Sequence, residues 1–232
     1  MNLLTINPIS SCNISCEHCP NKEWTYPIGD ERNRLTNKII FKWLEKYFNP
    51  REWLLEVSGG EPGLYPEIQG LITGLCAIGY RGIIRTNGTL PIPKTDNFKR
   101  IAAWHKPISI ACPPKYCDVM LITKNPDDCW EEKSRHCLVN NIPHKCVPYV
   151  RFGDPALINE PPQGDIKTNT YFKYWTIVNS YGEQAFCYAN WGGDGDNILN
   201  MAPPLLWDLN TCPSCHGIIG TIEFCLECDL LT

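Results

Sequence analysis

Three cysteines near the start of the chain restrict its fold more than any other feature of the sequence. They are Cys12, Cys16 and Cys19. The apolar run Leu3-Leu4-Thr5-Ile6 before them predicts a strand that ends in a loop, and a loop lets three thiols turn toward one centre. A helix would spread them around its surface instead. The spacing therefore predicts a single metal centre. A [4Fe–4S] cube usually takes four cysteines, so three thiolates would leave one iron open to a ligand that is not protein.

Two later motifs bear on the choice between an iron–sulfur cluster and the alternatives, which are a zinc knuckle or plain buried thiols. Val57-Ser58-Gly59-Gly60-Glu61-Pro62 follows the apolar run Trp53-Leu54-Leu55, and Ile83-Ile84-Arg85-Thr86-Asn87-Gly88-Thr89 comes after it. Each motif stands at the end of a predicted strand. The carboxyl ends of parallel strands form one edge of a sheet, where ligands bind. We therefore expect the three motifs to converge in space.

In this order the motifs resemble CxxxCxxC, GGEP and the Thr-Asn-Gly strand end of radical S-adenosylmethionine (SAM) enzymes. The resemblance implies an α/β fold, a partial (β/α) barrel of the radical SAM type. It also implies that Cys12, Cys16 and Cys19 hold a [4Fe–4S] cluster, whose open iron would bind the amino and carboxylate groups of SAM. One departure from the family is His18, because an aromatic residue that contacts the adenine usually stands before the third cysteine.

The resemblance further implies which residues contact SAM. These cofactor-binding residues are Gly59, Gly60, Glu61, Pro62, Asn87, Ser109 and His18. The two glycines lack a Cβ, so their backbone can approach a ligand closely. Pro62 would fix the turn that receives the amino group of SAM, and Glu61 would brace it. The alternatives are a tight turn after the second strand and an ordinary Asn-Gly turn after the third.

Composition limits the class of protein. The chain has 232 residues, of which 43% are hydrophobic, enough for one substantial domain and a small appendage. The net charge is −4, with acids and bases mixed, so no basic stripe indicates nucleic-acid binding. The 14 cysteines come without an export signal or an apolar run long enough for a membrane helix, which favours reduced thiols. We expect a cytoplasmic protein with no membrane partner.

The order of elements predicts βα units around a parallel sheet. The predicted strands cover residues 3–7, 53–57, 82–85, 107–111 and 145–150. The predicted helices cover residues 36–48, 67–78, 97–104 and 126–139. A link rich in proline and glycine predicts a domain boundary near Gly164, with the barrel in residues 1–163 and a smaller domain in residues 164–232. The smaller domain should open with two strands joined at Tyr181-Gly182.

A second group of cysteines stands in the smaller domain. Two CxxC pairs follow a lone thiol at the end of the predicted hairpin, and the group comprises Cys187, Cys212, Cys215, Cys225 and Cys228. The arrangement resembles the cysteine-rich SPASM/twitch extension of radical SAM enzymes, which binds an auxiliary [4Fe–4S] cluster. Five thiols suffice for one such cluster and not for two, so twitch-like is the closer description. The alternative is a structural zinc ion held by the two CxxC pairs.

The resemblance implies an enzyme that reductively cleaves SAM to a 5′-deoxyadenosyl radical and abstracts a hydrogen atom from its substrate. A peptide, an amino-acid-derived molecule or a nucleobase is the expected substrate, and flavodoxin or ferredoxin is an expected electron donor. No acid–base pair is apparent in the sequence, and hydrogen-atom transfer needs none. The alternative from another class is a non-catalytic binding protein in which an iron–sulfur cluster or zinc only staples the fold.

Overall fold

The computed structural model describes residues 2–14, 35–104, 114–124, 129–148, 174–185 and 197–208. The strands in these ranges are β1 (Asn2–Ile6), β2 (Trp53–Val57), β3 (Gly82–Thr86), β4 (Phe98–Ala103), β5 (Val119–Lys124), β6 (His144–Pro148), β7 (Tyr174–Val178), β8 (Gln184–Ala185) and β9 (Trp207–Asp208). The helices are α1 (Asn37–Tyr47), α2 (Ile68–Ile78) and α3 (Trp130–Val139). Short 3₁₀ turns cover Pro62–Leu64 and Ile198–Asn200.

The strands form one sheet in the order β6-β5-β4-β3-β2-β1-β7. Every neighbouring pair in this series is parallel. The short strands β8 and β9 pair antiparallel with β7. A parallel sheet with helices on its outer face confirms the predicted α/β partial barrel.

The main core lies between the sheet and the helices α1 and α2. Leu4 and Leu55 on the strands and Trp43 and Leu71 on the helices are all fully buried there. Both helices begin and end as the sequence predicts, because their caps are local. The Thr36 side chain accepts a hydrogen bond from the backbone of α1. The chain leaves α2 through a left-handed residue, Gly79, whose φ is +99°.

One element was predicted wrongly. The sequence predicted a helix over residues 97–104, and the structure has strand β4, paired with β3 from Gly82 opposite Phe98 to Thr86 opposite Ala102. The apolar residues of β4 recur at a helical spacing because Phe98 and Ala102 are buried on one face and Ile101 on the other, which removes the alternation of a half-buried strand. Strand β5 was not predicted, and the predicted strand at 107–111 lies outside the described residues.

The predicted hairpin at Tyr181-Gly182 is present as β7 and β8, and β7 extends the barrel sheet by pairing with β1. The backbone N–H of Asn7 donates to the carbonyl of Val178 at 2.8 Å. The Ser180 hydroxyl donates to the Ser10 hydroxyl at 3.1 Å, in the loop that leads to the first cysteine. The opening hairpin of residues 164–232 is therefore part of the barrel sheet. The boundary near Gly164 lies outside the described residues and stays a prediction.

Residues 197–206 pack against α1. The indole N–H of Trp43 donates to the carbonyl of Ala202 at 2.8 Å, and the Tyr47 hydroxyl donates to the carbonyl of Met201 at 2.7 Å. The Thr176 hydroxyl on β7 donates to the carbonyl of Leu205 at 2.7 Å. These bonds fasten the chain to the barrel before it enters the cysteine-rich tail. In the described ranges, α1 to α3 are too short or too polar to cross a bilayer.

Candidate functional site

The loops after β1 and β2 lie against each other without space for side chains. The backbone N–H of Gly60 donates to the carbonyl of Ile9, and that of Glu61 donates to the carbonyl of Ser11, both at 2.8 Å. A Cβ on Gly60 would lie 2.0 Å from the Ser11 carbonyl oxygen. Gly59 has φ +114°, and a Cβ there would lie 2.4 Å from the Ile9 carbonyl oxygen. The two glycines are therefore required by the contact between the loops, whereas the sequence suggested only that their backbone approaches a ligand.

Glu61 joins the end of β2 to the end of β3. Its side chain is fully buried and accepts hydrogen bonds from the Thr86 hydroxyl at 2.7 Å, the Asn87 N–H at 2.7 Å and the Gly63 N–H at 2.9 Å. Burial raises the pKa of this carboxyl, and the three hydrogen bonds oppose the rise. Pro62 begins the 3₁₀ turn that Glu61 caps. Pro62 and Glu61 thus shape the turn after β2, and their contact with SAM stays a prediction.

Asn87 connects the end of β3 to the first cysteine. Its Nδ2 atom donates to Asn13 Oδ1 at 2.7 Å and lies 3.8 Å from Cys12 Sγ. Its Oδ1 atom accepts from the backbone N–H of Thr89 at 3.0 Å. Asn13 in turn donates to the Thr89 hydroxyl at 2.8 Å. Cys12, Glu61 and Asn87, one residue from each predicted motif, therefore converge at the carboxyl edge of the sheet.

The Cys12 thiol is partly exposed at this edge. Burial of the rest of the side chain raises its pKa, and the charge of Glu61 adds to the rise. Hydrogen bonds from the backbone at Ile14 and Asn13 and from the Asn87 side chain lower it. Such donors stabilise the thiolate, which is the form of cysteine that binds metals.

Asn7, at the end of β1, was not identified from the sequence. It is buried, and its Oδ1 atom has no hydrogen-bond partner among the described residues. Its Cβ lies 3.1 Å from the place where a Cβ on Gly59 would stand. A buried amide oxygen without a donor is costly unless a ligand supplies one. The signal in the sequence was a polar residue directly after a buried strand.

A polar group on the concave inner face of the sheet was also missed. Leu4 and Ile6 face the helices, so Thr5 faces the interior of the barrel, and Glu56 is its partner in the register of β1 and β2. The Thr5 hydroxyl donates to Glu56 Oε2 at 2.6 Å, and Arg85 Nε forms an ion pair with Glu56 Oε1. A charged pair between apolar strand residues is unexpected from periodicity alone.

Several predicted site residues lie outside the described residues. They are Cys16, Cys19, His18, Ser109, Cys187, Cys212, Cys215, Cys225 and Cys228. Within the described ranges, no three histidine, cysteine or acidic side chains come together as a metal site. The ligand sets of both predicted metal centres stay predictions.

Comparison with solved structures identifies the fold. Streptococcus suis SuiB bound to the precursor peptide SuiA is similar with a TM-score of 0.58 and 16% identity, over 99% of this chain and 70% of that one. The structure of anSMEcpe with bound AdoMet and Cp18Cys peptide is similar with a TM-score of 0.53 and 13% identity, over 94% of this chain and 82% of that one. This likeness confirms the predicted resemblance to radical SAM enzymes at the level of the fold.

Sequence comparison adds one relative. An AdoMet-dependent heme synthase of Oleidesulfovibrio alaskensis is 29% identical over 80 residues, which are 34% of this chain. The match spans 20% of the length of that protein. No family model matches the chain.

Proposed function

We propose that the chain is a radical SAM enzyme in which Cys12, Cys16 and Cys19 hold a [4Fe–4S] cluster and the open iron binds SAM. The observation that carries the proposal is the contact between Asn87 and Cys12 at the carboxyl edge of the sheet. Residues from three motifs that are far apart in the sequence, Cys12, Glu61 and Asn87, meet at the edge where parallel sheets bind their ligands. The AdoMet in the similar structure of anSMEcpe gives further support.

The described residues fit these groups. The partly exposed Cys12 thiol accepts hydrogen bonds from Ile14, Asn13 and Asn87, which favour a thiolate and oppose the rise in pKa that burial causes. The buried Oδ1 atom of Asn7 suits a donor such as an ammonium group. When bound, the cluster and SAM supply radical chemistry, since one electron breaks a carbon–sulfur bond of the sulfonium and the resulting radical abstracts hydrogen.

The protein's own residues fix the position of the Cys12 thiol. Glu61 fixes the end of β3, because its carboxylate accepts from the backbone of Asn87 as well as from Thr86. Asn87 then holds the loop of Cys12 through Asn13. The loops after β1 and β2 are joined by backbone hydrogen bonds, so the thiol stands on a rigid support.

The proposal is tested by SAM cleavage. Anaerobically reconstituted protein with dithionite should release 5′-deoxyadenosine and methionine, measured by liquid chromatography. Cys12→Ser should abolish the release, whereas Cys129→Ser, at an exposed thiol at the start of α3, should retain it. Iron-loaded protein that binds no SAM and forms no 5′-deoxyadenosine would leave the non-catalytic binding protein as the better description.

We also propose an auxiliary metal centre of the twitch type in the tail. The strands β8 and β9 are antiparallel to β7, so the chain runs along both toward the amino-terminal end of the sheet, away from Cys12. Cys187 follows Ala185 by two residues and Cys212 follows Asp208 by four. Two of the five thiols thus follow closely in sequence after strands that pair with β7.

Metal analysis distinguishes the two candidates for the tail. Protein with Cys12, Cys16 and Cys19 all changed to Ala should retain iron and sulfide in the ratio of one cluster. If this triple variant holds zinc and no iron, the zinc ribbon is correct.

The peptides in the similar structures of SuiB and anSMEcpe make a peptide the first substrate class to test. A neighbouring gene that encodes a short precursor peptide would supply a candidate substrate.

A further inference from the structure

The side-chain amide of Asn87 uses all of its hydrogen-bonding positions within the protein. An amide has two N–H bonds to donate and two lone pairs on its oxygen to accept. The Nδ2 atom of Asn87 donates to Asn13 Oδ1 at 2.7 Å and to Cys12 Sγ at 3.8 Å. Its Oδ1 atom accepts from the backbone N–H of Thr89 at 3.0 Å and from the Thr89 hydroxyl at 2.5 Å. The side chain therefore has no hydrogen-bonding position left for SAM.

Three side chains in this group form a closed ring of hydrogen bonds. Asn87 donates to Asn13, Asn13 donates to the Thr89 hydroxyl at 2.8 Å, and that hydroxyl donates back to Asn87. The backbone of Asn87 is fixed as well, because Glu61 accepts its N–H at 2.7 Å. The ring fixes the plane of the Asn87 amide and directs its second N–H at the Cys12 sulfur. The protein thus places a donor at this sulfur before any ligand binds.

A hydrogen bond to the Cys12 sulfur bears directly on electron transfer. A thiolate that binds a cluster carries part of the charge added on reduction, and hydrogen bonds to the sulfurs are among the factors that set the reduction potential. Glu61 acts in the opposite direction, because its charge raises the pKa of Cys12 and disfavours further negative charge there. A donor at the sulfur offsets this repulsion, and Asn87 supplies one.

We propose that Asn87 is a positioning residue that acts through Cys12, raising the reduction potential of the cluster by its N–H···S hydrogen bond, and that its side chain does not contact SAM. The proposal rests on the proposed function, because it requires a cluster on Cys12, Cys16 and Cys19. The reduced cluster carries one more negative charge than the oxidised one, so a donor at sulfur stabilises it more. The electron comes from dithionite or a protein donor. From the sequence, Asn87 was expected to contact SAM instead.

A redox titration without SAM is the first test. Electron paramagnetic resonance measures the reduced cluster, and the signal that Cys12→Ser removes identifies the cluster at that cysteine. Asn87→Leu keeps the size of the side chain and removes its donors. In this variant the ratio of reduced to oxidised cluster at a fixed potential should fall about threefold or more, as expected for part of one hydrogen bond. An unchanged ratio in a folded Asn87→Leu protein with a full cluster overturns the proposal.

Thr89→Val is the matched control for this titration. It removes the hydroxyl from the ring, but Asn13 and the backbone N–H of residue 89 still hold the Asn87 amide. The donor to Cys12 therefore remains, and the ratio of reduced to oxidised cluster should equal that of the unaltered protein. A fall as large as in Asn87→Leu would mean that the rigidity of the ring, and not the N–H···S bond, sets the potential, and would overturn the proposal.

SAM affinity separates this role from direct contact with the cofactor. Equilibrium dialysis with radiolabelled SAM should give the same dissociation constant for Asn87→Leu as for the unaltered protein. Affinity about tenfold weaker, as expected for a lost hydrogen bond, together with an unchanged potential would show that Asn87 binds SAM and would overturn the proposal.

Pulsed electron paramagnetic resonance tests the hydrogen bond without a substitution at Asn87. When asparagine is labelled with ¹⁵N at the side-chain amide, the reduced cluster of the unaltered protein should show a coupling to ¹⁵N. Asn13→Asp keeps the acceptor for Asn87 and removes the other nearby amide nitrogen, so it should retain the coupling. Absence of the coupling, or its loss in Asn13→Asp, overturns the proposal even where Asn87→Leu fails to fold.

The role of Asn87 and the proposed function can fail separately. The redox titration and the pulsed measurement use no SAM. A lowered potential in Asn87→Leu without SAM cleavage by the unaltered protein would reject the proposed function alone. SAM cleavage with an unchanged potential would reject only the role of Asn87, and protein that assembles no cluster at Cys12 would reject both.

Discussion

The side-chain amide nitrogen of Asn87 lies 3.8 Å from the sulfur of Cys12, although 75 residues separate them in the chain. Asn87 is held by the carboxylate of Glu61, which accepts its backbone N–H at 2.7 Å. The end of β2 thus sets the position of the end of β3, and β3 sets that of the first cysteine. A substitution in any of the three motifs should therefore shift the positions of residues in the other two.

The loop contact predicts the effect of a substitution at Gly60. From the sequence, Gly60→Val would be expected to weaken SAM binding and spare the cluster, because the glycine was assigned to the ligand. In the structure a Cβ would lie 2.0 Å from the Ser11 carbonyl and 2.5 Å from that of Ser10. The loop of Cys12 must then move, so we expect loss of bound iron together with SAM affinity, both measured after anaerobic reconstitution.

Gly70→Ala is the matched control for this experiment. Its Cβ would approach only the Asn37 side-chain nitrogen, at 3.2 Å, so iron content and SAM binding should remain normal. A folded Gly60→Val protein with a full cluster and weakened SAM binding would instead favour the role that the sequence suggested.

The attachment of the tail predicts where disorder begins when its metal is removed. Cys225→Ala with Cys228→Ala should expose the chain to protease only after β9, because metal binding and folding are coupled in so small a segment. The preceding residues are fastened through Trp43 and Thr176. Limited proteolysis with mass spectrometry should give a stable fragment that ends near Asp208.

The activity of the same double variant tests whether the two sites are separable. SAM cleavage with dithionite should persist while substrate-derived product is lost. Early cleavage between β7 and β8 would contradict the proposed attachment, since β7 pairs with β1. Such a variant would lose SAM cleavage as completely as Cys16→Ala.

The ion pair of Arg100 with Asp118 predicts a pH-dependent contribution to stability. Partial burial alone would raise the pKa of Asp118, but hydrogen bonds and charge from Arg100 outweigh it, so the pKa lies below its usual range. A lowered carboxyl pKa stabilises the fold above the unfolded value of about 3.9, and this contribution is lost as pH falls through the folded pKa. Asp118→Asn should cost about 1.5–3 kcal/mol at pH 7.

Urea unfolding at several pH values checks this prediction. The difference in unfolding free energy between the unaltered protein and Asp118→Asn should shrink steadily below about pH 4. A difference that stays constant down to pH 2 would mean that the charge of Asp118 is not what stabilises this end of β5.

Two cysteines should differ in reactivity because of their surroundings. Burial raises the pKa of Cys117 to about 11, whereas Cys129 is exposed at the start of α3. At pH 8 roughly one Cys117 in a thousand is a thiolate, and only the thiolate is alkylated. Brief treatment with iodoacetamide should label Cys129 well before Cys117, as read by peptide mass spectrometry. Equal labelling would show that the packing around Cys117 opens on the timescale of the reaction.

The sequence by itself determined the features that depend on near neighbours. Helix α1 begins at Thr36 and α2 ends at Gly79 because capping needs only a few residues of context. The strand ends that carry Cys12, Gly59 and Asn87 were also predicted correctly, since each apolar run stops at a motif with turn-forming residues. Their convergence followed from the one rule that parallel strands share a carboxyl edge.

The tertiary structure decided what depends on distant pairing. Strand β4 has the apolar spacing of a helix, and only pairing with β3 and β5 makes it a strand. The sequence suggests no link between Glu56 and Arg85, because their meeting requires β2 and β3 to be neighbours in a particular register. The same holds for Gly60, whose lack of a side chain is required by a carbonyl 49 residues earlier in the chain. Local periodicity records burial, but it does not record which strand supplies the partner for each backbone group.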